Sequence, residues 1–178
     1  MKTILITGGA GYIGSHLALN LLEKGENVII FDNLSTGHIE TVETLSKYGN
    51  LKFIRGDLLN RTDLKEIFQK YTIDCVFHFA ALSQVEESVK NPEKYYVNNV
   101  CGTLNLLNEM IRHNVKKIVF SSTASIYGEP VYIPVDENQA PADVSIPAVD
   151  GQAPVDAVIP SGDDNAPAAE EAVPSDII

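Results

Sequence analysis

Thr7-Gly8-Gly9-Ala10-Gly11-Tyr12-Ile13-Gly14-Ser15-His16 is the stretch that decides the fold. It follows an apolar run at 2–7 (KTILIT) and opens a stretch of helical character at 12–24. Gly8, Gly11 and Gly14 form GxxGxxG, while Gly9, Gly11 and Gly14 satisfy GxGxxG. A chain leaving a strand must turn sharply here, with no Cβ standing where a pyrophosphate would lie. The helix that follows offers free N–H donors and the positive end of its dipole. The strand–turn–helix context is what turns a common glycine pattern into a dinucleotide-binding signature.

Working outward, short β-rich runs alternate with helical candidates as far as residue 121. Runs at 2–7, 27–32 (NVIIFD), 51–55 (LKFIR), 74–79 (DCVFHF) and 116–121 (KKIVFS) read as strands. Most are nearly continuous apolar stretches, as strands covered on both faces should be. Helices are expected near 12–24, 38–48, 62–70 and 92–113. Gly25 supplies a left-handed cap after the first, Thr62 caps the third, and Asn91-Pro92 starts the last. The alternation predicts an α/β fold: a Rossmann-like, doubly wound parallel sheet of about five strands.

Asp32 ends the second run, 18 residues beyond Gly14. A carboxylate there accepts hydrogen bonds from the adenosine ribose hydroxyls and repels a 2′-phosphate. No Arg occurs between Asn33 and Lys52, so the pair of features favours NAD over NADP. The plainer alternative for Asp32 is a solvated acid at a strand end. Other strand ends reach the same crevice: Gly56-Asp57-Leu58, Phe79-Ala80-Ala81 and Ser121-Ser122-Thr123. Asp57 is either an adenine contact or a turn acid.

The chain has 178 residues, enough for one ordinary domain, with 44% hydrophobic and 21% charged residues. No apolar run nears the roughly 18 residues of a membrane span, and the N-terminal run is too short for a signal peptide. Cys75 and Cys101 give neither a disulfide framework nor metal-ligand spacing, which points to a reduced, cytoplasmic protein. The formal charge of −11 lies wholly in the last third, because 11 acids and no Lys, Arg or His follow Lys117. That sign argues against nucleic acid and anionic membrane as partners. From Asn138 the chain has no aromatic, basic or Leu residue, and prolines recur at 134, 141, 147, 154, 160, 167 and 174. Residues 138–178 are read as an acidic Pro/Ala-rich tail, largely disordered, with a short-period stacked repeat as the alternative. The expected division is therefore 1–137, an NAD-binding domain, and 138–178, the tail. The four His show no metal spacing, and His78 reads as a hydrogen-bonded core residue. Glu86-Glu87 reads as a solvated pair.

TGGAGYIGSH at 7–16, FDNLSTGH at 31–38 and GDLLNR at 56–61 resemble the extended short-chain dehydrogenase/reductase family. VFHFAAL at 76–82, ESVKNPEKYYVNNVCGTLNLL at 87–107 and FSSTASIYGEP at 120–130 extend the match. Within that family the chain is similar over residues 1–137 to the UDP-glucose 4-epimerase group, NAD-dependent UDP-hexose 4-epimerases. The Ser-Ser-Thr-Ala-Ser-Ile-Tyr-Gly run favours epimerases over the sugar-nucleotide dehydratases. The resemblance implies that NAD takes a hydride from C4 of a UDP-sugar while a tyrosine takes the hydroxyl proton. The hydride then returns to the other face of the 4-keto sugar. It further implies that Gly8, Gly11, Tyr12, Ile13 and Gly14 cradle the pyrophosphate. Asp32 and Asn33 would hold the adenosine, with Asp57 and Leu58 beside the adenine. Phe79, Ala80, Ala81, Asn98 and Ser121 would line the nicotinamide half, and Thr123 is the Ser/Thr that hydrogen-bonds the reacting hydroxyl. Ser83 stands where some epimerases carry Lys. The family's homodimer uses the helix expected at 92–113.

The family's Tyr-x-x-x-Lys pair, which should follow Thr123, does not occur among these residues: no Tyr follows Tyr132 and no Lys follows Lys117. Tyr48…Lys52 has the spacing but precedes Thr123, and it is assigned no role. The chain reads as the front half of an epimerase joined to acidic sequence, expected to bind NAD without turnover. A catalytically inactive NAD-binding module is the alternative function, and without a counterpart of the enzyme's second half the homodimer becomes doubtful and the fifth strand an open edge.

Overall fold

The computed structural model describes residues 1–128, 132–136 and 138–139. It separates into two compact units, Met1–Ala124 and Ser125–Ile178. In the first, the five expected strands are all present: β1 (Thr3–Thr7), β2 (Asn27–Asp32), β3 (Leu51–Arg55), β4 (Cys75–His78) and β5 (Ile118–Phe120). They form one sheet in the order β3-β2-β1-β4-β5, and every pair is parallel. The order reverses between β1 and β4, so a crevice opens there beyond the carboxyl ends of the strands.

The strands' continuous apolar runs follow from period-two alternation between two covered faces. Leu5, Ile29, Phe31 and Val76 point to one side, where they pack with Leu64, Ile67, Phe68, Leu106 and Met110. Ile4, Ile6, Val28 and Ile30 point to the other, against Ala18, Leu22 and Leu45. Helices α1 (Tyr12–Glu23) and α2 (Ile39–Leu45) thus cover one face, and α3 (Arg61–Lys70) and α6 (Gly102–Arg112) the other. Each fully buried aliphatic side chain contributes about 1.5–3 kcal/mol, and the two layers supply the bulk of the stability.

Gly25 closes α1 at φ +77°, with its N–H donating to Leu22 O and that of Glu26 to Leu21 O. The cap of α3 differs from expectation: Asn60, not Thr62, is the N-cap, its side chain accepting from the Thr62 N–H at 3.1 Å. Thr62 falls in the first turn instead. A short helix that the sequence pattern did not reveal, α4 (Val85–Lys90), precedes α5 (Pro92–Tyr96). Its Glu86 and Glu87 side chains are exposed, as expected, and take part in surface ion pairs. Glu86 pairs with Lys90 at 2.7 Å, while Glu87 accepts from Lys94 and from the Tyr95 hydroxyl. The helix expected at 92–113 is interrupted by a π-turn, Val97–Cys101, between α5 and α6.

β5 sits at the sheet edge with all three residues exposed, as an uncovered outer strand must be. In the second unit, the Tyr132 hydroxyl donates to Asp136 Oδ1 at 2.6 Å. The acidic tail expected at 138–178 lies outside the described residues from position 140 onward. Among the described residues no helix is long and apolar enough to cross a membrane.

Candidate functional site

Gly8 takes φ +71° as the chain leaves β1, and its N–H still donates to Phe31 O of β2. A Cβ on Gly8 would stand 2.6 Å from the Ala80 backbone nitrogen, and one on Gly14 would stand 2.4 Å from Gly8 O. These two glycines let the loop, α1 and the end of β4 close on one another. Gly11 is different. Its φ of −82° suits any residue, and a Cβ there would meet only Gly8 O at 3.3 Å. Packing constrains Gly11 far less than Gly8 or Gly14, and Gly11 lines the crevice. Just beyond, the first-turn N–H groups of Tyr12, Ile13 and Gly14 have no carbonyl one turn back. A cleft wall without a side chain, next to a set of unpaired donors, fits a pyrophosphate.

Asp32 is buried, at 8% exposure, which excludes the solvated-acid reading. One carboxylate oxygen accepts from the Ala10 N–H at 3.0 Å, the other from the Leu34 N–H at 2.8 Å. Asp32 therefore ties the glycine loop to the loop after β2, whose Leu34 is held at φ +61°. Asn33 donates to Asp57 Oδ2 at 2.9 Å, and Asp57 Oδ1 accepts from the Leu59 N–H. Asp57 is thus a turn acid that also faces the cleft.

Gly8, Gly11, Asp32, Asn33, Asp57, Leu58, Phe79, Ala80, Ala81 and Asn98 line one cleft at the switch point. Leu58 belongs at once to the cleft and to the core. Ile13, Ser121 and Thr123 lie elsewhere, in a second cleft at the ends of β4 and β5. That second cleft shares Phe79, Ala80, Ala81 and Leu82 with the first and includes Ser83. Tyr12 and Gly14 line neither: Tyr12 is 81% exposed and lies tilted against His16, and Gly14 is packed beneath the loop. Tyr48 and Lys52 flank the start of β3, at the opposite end of the sheet from the clefts.

A polar chain runs from β1 to the wall of the second cleft, where the sequence predicts only a hydrogen-bonded core histidine. The Thr7 hydroxyl lies 2.6 Å from His78 Nδ1, and Thr103 Oγ1 lies 2.8 Å from His78 Nε2. Burial pushes the imidazole down to about 4, so His78 is neutral at ordinary pH. Other residues at the clefts that the sequence did not single out are Ser35, Thr36, Leu82 and Asn99. The only sequence signal for Asn99 is a polar pair, Asn98-Asn99, within an otherwise helical stretch.

The GDP-mannose 4,6 dehydratase family model matches residues 5–146. The chain belongs to that family. Among curated proteins it is 53% identical over 137 residues to a UDP-glucose 4-epimerase of Yersinia enterocolitica, covering 76% of this chain and 41% of that one. A UDP-glucose 4-epimerase of Halalkalibacterium halodurans is 55% identical over 135 residues, covering 76% of this chain and 39% of the relative. Among solved structures, the UDP-glucose 4-epimerase of Bifidobacterium longum in complex with NAD+ and UDP superposes with a TM-score of 0.71 at 40% identity. That match covers 79% of this chain and 43% of the other. The chain thus spans about two fifths of the length of the relatives it matches. The fold agrees with the Rossmann-like expectation, and the family agrees with the resemblance read from the motifs.

Proposed function

We propose that these residues form the NAD-holding half of a UDP-hexose 4-epimerase. The observation that carries the reading is Gly11 at the cleft wall, where the extended backbone suits any residue and a Cβ would crowd only Gly8 O, at 3.3 Å. Gly8 and Gly14 close the loop, and the first turn of α1 presents its donors to the pyrophosphate. Asp32, with lone pairs left after its two backbone bonds, would accept from the adenosine ribose. Its buried charge disfavours a 2′-phosphate, which selects NAD over NADP. Asn33, Asp57, Leu58 and Asn98 would enclose the adenosine end, with Phe79, Ala80, Ala81 and Ser121 beside the nicotinamide. Thr123 would hydrogen-bond the reacting sugar hydroxyl. Bound NAD would supply the oxidising equivalent at C4 of a UDP-sugar and give it back.

The proton acceptor of that reaction is not among the described residues near Thr123. By the family pattern it is a tyrosine with a lysine one helical turn on, and the sequence carries no such pair after Thr123. General acid–base catalysis of that kind is worth about 10²–10⁴ in rate. The homologues' shared identity favours descent from an active epimerase over an unrelated binding module. The test is equilibrium dialysis against NAD and NADP. The reading requires NAD to bind at least about tenfold more tightly, a discrimination of roughly 1.4 kcal/mol. Equal binding of NADP would contradict the role given to Asp32. Conversion of UDP-galactose to UDP-glucose by this polypeptide would contradict the assignment of the proton acceptor.

A further inference from the structure

Leu82 lies where the two clefts meet, lining both the one that holds Asp32 and the one that reaches Thr123. It belongs to residues 79–84, which connect β4 to α4 without regular secondary structure. A segment of that kind has no ladder to fix it. Asn99 does the fixing: its Oδ1 accepts from the Leu82 N–H at 2.8 Å, and its Nδ2 donates to Leu82 O at 2.9 Å. One carboxamide therefore satisfies both backbone polar groups of Leu82, as a neighbouring strand would.

Asn99 is itself held by two neighbours. Asn98 Nδ2 donates to its Oδ1 at 2.8 Å, and the Thr103 hydroxyl donates to its carbonyl at 2.6 Å. Thr103 has thereby used its one proton, so it accepts from His78 Nε2, which must carry the ring hydrogen. His78 Nδ1 is then the acceptor of the Thr7 hydroxyl, and no donor in the chain is wasted. The line Thr7–His78–Thr103–Asn99–Leu82 runs from the central strand to the wall between the clefts. The π-turn at Val97–Cys101 lets Asn98 and Asn99, adjacent in sequence, both lie half-buried while Val97 and Val100 stay exposed. Such turns concentrate at functional sites.

We propose that Asn99 is a positioning residue: its two bonds to Leu82 set the 79–83 wall at the distance that accepts the nicotinamide half of the cofactor. The inference rests on the reading of the clefts as an NAD site. It is tested by calorimetric titration of NAD and of ADP-ribose, which lacks only the nicotinamide, into the full chain and two variants. Asn99→Leu breaks both bonds to Leu82 and is expected to lose at least about tenfold in NAD affinity, with ADP-ribose changed less than about threefold. Asn99→Asp at pH 8 keeps an acceptor for the Leu82 N–H but turns a second oxygen toward Leu82 O. Protonation supplies the missing donor, so its NAD affinity should climb toward the parent value as pH falls to 5, while ADP-ribose stays flat. A merely structural role would weaken both ligands together and show no recovery at low pH; either result overturns the inference. Should Asn99→Leu fail to fold, the pH series of Asn99→Asp decides alone. Failure of the unaltered chain to bind either ligand would sink the NAD-site reading and this inference with it. Normal NAD binding by both variants would overturn the inference and leave the site intact.

Discussion

Gly11→Ala and Gly14→Ala, three residues apart on one loop, should fail in opposite ways. At Gly11 the backbone already sits at φ −82°, ψ 177°, and the new methyl would meet only Gly8 O, at 3.3 Å. Gly8 O must shift by a few tenths of an ångström to relieve that contact, much less than Gly14→Ala would demand of the same atom. Against it stands the loss of unfolded-state freedom, which for a compatible Gly→Ala change stabilises by about 0.4–1 kcal/mol. The net change in stability should be within about 1 kcal/mol of zero. At Gly14 the methyl would lie 2.4 Å from Gly8 O and 2.8 Å from Gly9 Cα, both backbone atoms of a loop clamped from the other side. Overpacking of this kind costs about 1–3 kcal/mol or more, since no side chain can swing away. NAD affinity should respond in the reverse sense for the folded molecules: Gly11→Ala places its methyl where the pyrophosphate would lie, and a loss of at least tenfold, about 1.4 kcal/mol, is expected. Urea unfolding gives the first quantity and calorimetric titration the second. A Gly11→Ala protein that binds NAD as the parent does would refute the pyrophosphate assignment. A Gly14→Ala protein of unchanged stability would refute the packing account of the loop.

Three further outcomes are expected. His78 is held near 4 when folded against about 6.5 when unfolded, so the unfolded chain takes up a proton first as pH drops. The stabilisation is complete above pH 6.5 and is lost progressively down to pH 4, by up to about 3 kcal/mol; a His78→Gln variant should show a flatter dependence of its urea midpoint on pH over that window. Asp32→Ala orphans the Ala10 and Leu34 N–H groups, costing about 1–3 kcal/mol for each that stays dry, and should abolish NAD binding; retained affinity in a folded variant would exclude a ribose contact. Leu106→Ala removes a side chain with no exposed surface and should cost about 2–5 kcal/mol in denaturant unfolding, whereas a loss under 1 kcal/mol would mean that α6 is not packed as described.

Strands and glycine loop were legible because they obey local rules. The apolar runs of β1 and β2 are continuous because alternate residues serve two covered faces, and Gly25 marks the end of α1 by its need for positive φ. Asp32 was legible by its spacing from Gly14, although its burial was not: that depends on Ala10 and Leu34 turning their N–H groups inward. The cap of α3 was misplaced by two residues, since Asn60 and Thr62 are both good capping residues and only the backbone decides between them. Helix α4 escaped notice because its apolar residues, Val85 and Val89, are exposed and form no buried stripe. Asn99 was hidden for a deeper reason. Its partner Leu82 lies 17 residues away, and the π-turn that aims it has no periodic signature.

The most direct test of the central claim is thermal unfolding of the full chain with and without millimolar NAD. At about 100 times its dissociation constant, a ligand bound only by the native state adds roughly 2.7 kcal/mol. A single cooperative transition that moves up by several degrees with NAD, and by no more than about half as much with an equal concentration of NADP, is the predicted result. A cooperative transition that NAD leaves unmoved would contradict the cofactor site while leaving the sheet and its helices standing.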